Sequence, residues 1–363
     1  KGIVEGYNSH FSSLDYTEVD ENAEPIEFPC NNSRRTNIQQ REFLKINGQP
    51  LAYWAPEKLL KCFTDKKPLV DSLYTSQGMK TLDNERFIRE WYEVNTKKFS
   101  IFNSIESSKW FPINHGGNYR KWYGNNESVL NWEFDGQEIK SLAKDKYNSI
   151  TRTVTGMGHY FEEGLTWTAI SSGKYSVRKF PKGFLFTNAG MCGFTKDGSL
   201  EVATSFLNSS LVSKSLEFLS PTMNYGPNQI KQLPYEFDIS VQQEAKSIFQ
   251  IAYEISKDDW DSKETSWEFS RNQLINNGLS GLKRLHETVE NYIARSQSIS
   301  EKLKEQEELN NHLFLDHYGI DSGIRAEVDL KDVSLFCNVQ HRYKNIADVS
   351  NRERMFRSEL LNE

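Results

Sequence analysis

The densest grouping of residues able to contact a nucleic acid lies at 109–126, KWFPINHGGNYRKWYGNN. Gly116 and Gly117 allow a sharp turn or a close approach of backbone to ligand. Arg120 and Lys121 can pair with phosphates, and Trp122 and Tyr123 can stack on bases or support a distorted duplex. Asn125 and Asn126 can present bidentate amides to base edges. The competing reading is a loop whose aromatics are core and whose charges are solvated. A second cluster, SSGKYSVRKFPK at 171–182, places Ser171, Ser172 and a glycine ahead of Lys174, Arg178 and Lys179. That order suits a phosphate-facing hairpin, or else a solvated basic edge strand. A third, QGMKTLDNERFIR at 77–89, sets Lys80 and Thr81 before an expected helix start, where free N–H groups favour anions. A plain helix cap explains it equally.

Other chemistry is poorly represented. The ten prolines include no adjacent pair, so the chain has no Asn-Pro-Pro-Tyr motif. Gly156 and Gly158 lack the strand-to-helix setting of a cofactor loop, and no GxSxG or P-loop occurs. Asp135, Glu138 and Lys140 faintly resemble a nuclease metal site, but the two acids are only three residues apart, as in a charged turn. The four cysteines form no CxxC pair, which argues against a zinc ribbon or disulfide scaffold and fits a reducing cytoplasm.

The elements that must position these groups are legible in part. Pro56 stands at a helix start ahead of Leu59, Leu60 and Phe63. Asp83 is expected to cap a helix with Phe87, Ile88 and Trp91 inward. Leu130, Trp132 and Phe134 alternate as in a strand, and residues 183–190 read as a buried strand. Asp197-Gly198 predicts a hairpin between MCGFT and LEVAT, followed by a helix over 205–219. Val241, Ala245, Ile248, Phe249, Ala252 and Ile255 follow helical spacing behind a Ser240/Gln243 capping box. A second box, Ser298 with Glu301, predicts a helix to about Tyr318, its apolar stripe interrupted by Gln306 and Asn310. Helices and hairpins without a βαβ repeat indicate an α+β fold with a mainly helical carboxy-terminal region.

Charge divides the chain in three. The formal net charge of −6 resolves into −4 over residues 1–44, +6 over 45–235 and −8 over 236–363. The middle region also holds six of the eight tryptophans. A basic, aromatic middle between acidic flanks points to an anionic partner for the middle. The first 44 residues read as irregular and polar. A mean hydropathy of −0.67, with no apolar run of membrane-spanning length, excludes an integral helical membrane protein. The start at Lys1, with no signal-peptide core behind it, is that expected of a processed or excised chain.

Taken together, NGQPLAYW, QGMKTLDNERFIREW, residues 109–136 and GLTWTAISSGKYSVRKFPKGFLF resemble the adenine-specific DNA methyltransferases of bacteriophage-exclusion (BREX) defence systems, the PglX type. SFLNSSLVSKSLEFLSPTMNYGPNQIKQLP, DDWDSKETSWEF and LKEQEELNNHLFLDHYGI extend the likeness over most of residues 45–345. Leu82 before Asp-Asn and Met191-Cys192 after Ala-Gly depart from the usual family residues. The resemblance implies a carboxy-terminal target-recognition half, similar to that of the TaqI and type IIG enzymes. Residues 45–235 would form the recognition domain and 236–363 a helical region. Residues 1–44 would be a linker or the tail of a methyltransferase domain not in this chain. It further implies a cytoplasmic protein whose partners are double-stranded DNA, the methyltransferase domain, and other BREX proteins or phage-encoded inhibitors, with no membrane. S-adenosylmethionine would be the methyl donor of the intact enzyme, with none bound by this chain, which alone would be inactive. Two other readings remain: a specificity module of a type IIG or type I-like restriction–modification enzyme, and a module that docks other defence proteins through its acidic third.

Overall fold

The structure is a computed structural model that describes residues 6–12, 19–24, 26, 35–46, 48–171, 173–196, 198–271, 274 and 285–362. Three sheets organise the strands. A two-stranded ribbon pairs β1 (Asn8–Ser12) with β2 (Arg35–Gln39), antiparallel. The first 44 residues are therefore not all irregular. The ribbon is held by Phe11, whose ring stacks on Tyr53 at 4.5 Å and meets Phe43 edge-on.

The second sheet has the order β3-β10-β7-β8, with β3 Leu73–Ser76, β7 Gly164–Thr168, β8 Val177–Phe180 and β10 Gly190–Thr195. All its pairings are antiparallel. The third has the order β4-β6-β5-β9, with β4 Ile88–Glu90, β5 Trp110–Asn114, β6 Ser128–Asn131 and β9 Leu185–Phe186. Its β5–β9 pairing is parallel. The expected strand at 183–190 is thus realised as the short, fully buried β9.

Helix α1 (Glu57–Asp65) follows Pro56 and buries Leu59 and Leu60. Asp83 caps α2 by accepting a hydrogen bond from Arg86 N, but α2 (Asn84–Phe87) is one turn long and leads directly into β4. Its β-branched successor Ile88 pairs with Leu130 rather than continuing the helix. The alternation through Phe134 also fails. β6 ends at Asn131, α3 (Glu133–Tyr147) begins, and Phe134 is 77% exposed.

LEVAT is helical, not a strand. Ser199 accepts from Val202 N and opens α4 (Leu200–Leu207), while Ser209 does the same for α5 (Ser210–Leu219). Two serine caps divide what periodicity read as one helix. Asp197 of the expected hairpin lies outside the described residues. Helix α7 (Ile239–Asp261) follows a single turn, α6 (Pro227–Ile230), and buries the predicted face. It starts after Asp238 without the Ser240 cap. Helix α8 (Leu285–His317) runs straight through Ser298, so that capping box lies mid-helix. Both interruptions in its stripe, Gln306 and Asn310, are buried, and Asn310 Nδ2 donates to the Ser205 carbonyl at 2.8 Å.

One hydrophobic core joins the second sheet to the helices. Trp167 and Val177 share it with Leu207, Ala245, Phe314 and Tyr318, so the core crosses residue 235 without interruption. A second core packs α3 on the third sheet through Phe111, Leu130 and Ile139. The architecture is mixed α and β with a mainly helical carboxy-terminal region. No helix among the described residues is long and apolar enough to cross a membrane.

Candidate nucleic-acid interface

The loop that joins β5 to β6 carries the first candidate cluster. Five of its residues from 116 to 125 have a left-handed backbone: Gly116, Gly117, Trp122, Gly124 and Asn125. At Gly117 a Cβ would lie 2.6 Å from the Asn125 amide, which donates to the Asn118 carbonyl and closes the loop. A tryptophan at φ 69° is strained, and such strain persists only where surroundings over-determine it. They do so here. Trp122 exchanges backbone hydrogen bonds with Val177 and Lys179 of β8. Its ring is fully buried against Phe249 and Leu303, and Nε1 donates to Glu307 at 3.0 Å.

The neighbouring cations are held inside the molecule. Arg120 is 4% exposed. Its guanidinium donates to the carbonyls of Tyr123 and Ser256 and, at 2.9 Å, to Asp259. It also lies over the rings of Trp260 and Phe336. Asp259 accepts in addition from the backbone N–H of Phe336 and Cys337. Lys121 donates to the second oxygen of Glu307 at 2.8 Å. Tyr123 and Asn126 are buried and bonded to each other, and burial raises the Tyr123 phenol.

The second cluster behaves likewise. Arg178 is buried and donates to the Arg120 carbonyl, with Gly116 O at 3.5 Å. Burial, reinforced by the charge of Arg120, lowers its pKa to about 10. Lys179 pairs with Glu201 at 2.9 Å, and Lys174 reaches Asp332 at 2.7 Å while remaining mostly exposed. Ser171 Oγ accepts from Gly173 N. Ser172 lies outside the described residues.

In the third cluster Thr81 is buried and hydrogen-bonds Asn84, while Lys80 is exposed and its N–H donates to Thr153 O. With the Arg86 N–H taken by Asp83, this turn does not present the open helix start that was expected. Arg120, Lys121, Trp122 and Arg178, held by carboxylates and carbonyls, therefore form a scaffold with the buried Tyr123 and Asn126.

What this scaffold carries is a cleft of about 820 Å³. His115, Asn118, Asn125 and Ser171 line one side of it, and His341 and Arg342 the other. His115 Nδ1 lies 2.8 Å from Thr187 Oγ1. His341 Nδ1 must carry the proton it donates to the Lys331 carbonyl, leaving Nε2 as an acceptor. Burial lowers the pKa of both imidazoles. Burial and the nearby Glu90 raise that of Glu127, also on the wall. The wall at 334–344 escaped sequence reasoning. Its one local signal was HRYK at 341–344, basic and aromatic within an acidic region.

Neither weak enzyme signal becomes a site. Gly156 precedes a three-residue 3-10 turn, Met157–His159, rather than an α-helix, so no cofactor loop forms there. Asp135 pairs with Lys140 and Glu138 with Arg86. Among the described residues no group of acidic, His or Cys side chains is arranged to hold a metal.

Over 308 residues the chain is 38% identical to the adenine-specific methyltransferase PglX of Lacticaseibacillus casei (strain Zhang), a match covering 82% of this chain. The chain is related to the adenine-specific methyltransferases. The adenine-specific methyltransferase BrxX of Escherichia coli O9:H4 (strain HS) is 37% identical over 246 residues, 66% of this chain. The matches span 25% of the first relative and 19% of the second. No family model matches.

Proposed function

We propose that this chain is the DNA sequence-recognition part of a site-specific adenine methyltransferase of a BREX phage-defence system, with a recognition fold like that of the TaqI and type IIG enzymes. The observation that carries this reading is the strained 116–125 loop, fixed by buried Arg120 and Trp122 at the wall of an open polar cleft. Sequence readout needs donors and acceptors held at fixed positions before the duplex arrives. Asn118, Asn125 and Ser171 supply amides and a hydroxyl on such a support. Arg120, Lys121 and Arg178 act as the internal frame of the reader rather than as phosphate contacts. Methyl transfer from S-adenosylmethionine would belong to a methyltransferase domain beyond these residues. Two adenine-specific methyltransferases that are 38% and 37% identical over 82% and 66% of this chain support the assignment.

The test is to map methylated adenines genome-wide with the full-length protein carrying Asn118→Ala and Ser171→Ala. A changed set of sites with total methylation retained is expected. An unchanged set at an unchanged level would overturn the reading of the cleft. Absence of salt-dependent DNA binding by the unaltered protein would favour a protein-docking module.

A further inference from the structure

Arg120 and Arg342 on the cleft wall are paired internally, and a separate group of cations faces solvent at the end of α3. Helix α3 ends at Tyr147, with Asn148 in the left-handed conformation and its N–H on the Lys144 carbonyl. The segment from 144 to 153 reads KDKYNSITRT. Lys144, Lys146 and Arg152 are exposed, and Asp145 is the one acid in that segment. No carboxylate pairs with Lys80, Lys144, Lys146 or Arg152 among the described residues. Lys146 and Arg152 instead lie against the same ring, at 5.6 and 4.7 Å from the centre of Tyr147.

Lys80 joins this group through its N–H, which donates to Thr153 O. The strip continues inward. Thr155 Oγ1 donates to Gly78 O, Asn188 N donates to Met79 O, and Thr187 bonds to His115 on the cleft wall. The basic corner is thus tied to the cleft by a short run of backbone and side-chain hydrogen bonds.

Two lysines at a helix C-terminus are explained by the helix dipole alone. Arg152 and Lys80 are not, since neither belongs to the helix. Cations interleaved with exposed amide and hydroxyl groups are what sugar–phosphate contacts require. We propose that Lys80, Lys144, Lys146 and Arg152 form a phosphodiester-binding surface for one backbone of a DNA duplex whose bases meet the cleft. This rests on the recognition reading above and adds where the duplex is held.

The experiment is the triple variant Lys144→Gln, Lys146→Gln, Arg152→Gln in the full-length protein. Binding is measured to duplexes with and without the methylation site, over about 50 to 200 mM salt. Affinity for both duplexes falls by the same factor, about tenfold or more. The log–log salt slope becomes shallower by about two to three, at roughly 0.9 per lost phosphate contact. Lys80→Glu with Arg152→Glu, two exposed positions, gives a larger loss at unchanged thermal stability. An unchanged slope in a protein that binds DNA overturns the surface and leaves the recognition reading standing. A loss confined to the site-bearing duplex also overturns it, because phosphate contacts do not discriminate sequence. An unaltered protein that binds neither duplex overturns both.

Discussion

Two segments of the basic middle region carry almost the same residue types and use them in opposite ways. In HGGNYRKWYGNN the cation Arg120 is buried against Asp259 and Lys121 is half-buried against Glu307. In KDKYNSITRT the cations Lys144, Lys146 and Arg152 point to solvent. The difference lies not in the segments but in what packs on them. Helices α7 and α8 bring carboxylates over the first, and among the described residues no carboxylate pairs with the cations of the second. A positive segment in a sequence therefore signals an anionic partner without saying whether that partner is a nucleic acid or the chain's own acidic region.

The comparison breaks first at Asp259. Asp259→Ala leaves the Arg120 guanidinium buried and unpaired, which costs about 3–5 kcal/mol. Denaturant unfolding reads this directly. Arg120→Met on that background recovers much of the loss, because it removes the stranded charge. A cost below about 1 kcal/mol would place this pair with surface ion pairs and erase the distinction.

Lys174 is the intermediate case, with a well-formed pair to Asp332 on a mostly exposed side chain. Lys174→Ala changes stability by at most about 1 kcal/mol, since solvent screens the pair. A larger effect in the same measurement would show that exposure does not separate the two classes.

The third effect is a change in pH dependence. His115 and His341 have folded pKa values below the ordinary value of 6.5. Between the folded value and 6.5 the unfolded chain binds more protons, so their contribution to stability is lost as pH falls through that window. Melting temperatures of the wild type and of His115→Gln with His341→Gln, compared between about pH 7.5 and 5, show a smaller acid-induced loss in the variant. Equal losses would mean that the cleft does not hold these rings neutral.

Much of the fold was legible where pattern and burial agree. The face Ala245, Ile248, Phe249 and Ala252 is the buried face of α7, and Pro56 precedes α1 as its composition suggests. Failures came where a local signal has two meanings. Ser298 and Glu301 form a capping-box pattern inside a continuous helix, and LEVAT is β-branched enough to read as a strand although Ser199 caps it as α4. Gln306, Glu307 and Asn310 interrupt the apolar stripe of α8, yet all three are buried. Only knowledge of what faces them shows that Glu307 joins Lys121 to Trp122 and Asn310 reaches Ser205.

By itself the sequence determined the mixed fold class, the relation to the adenine-specific methyltransferases and the loop around which the candidate site is built. These follow from composition, periodicity and residues near one another in the chain. The tertiary structure decided which cations are frame and which are surface. That outcome depends on pairs such as Arg120 with Asp259, 139 residues apart, and Lys121 with Glu307, 186 apart. Electrostatic energy depends on distance in space and on burial, and neither can be read from distance along the chain.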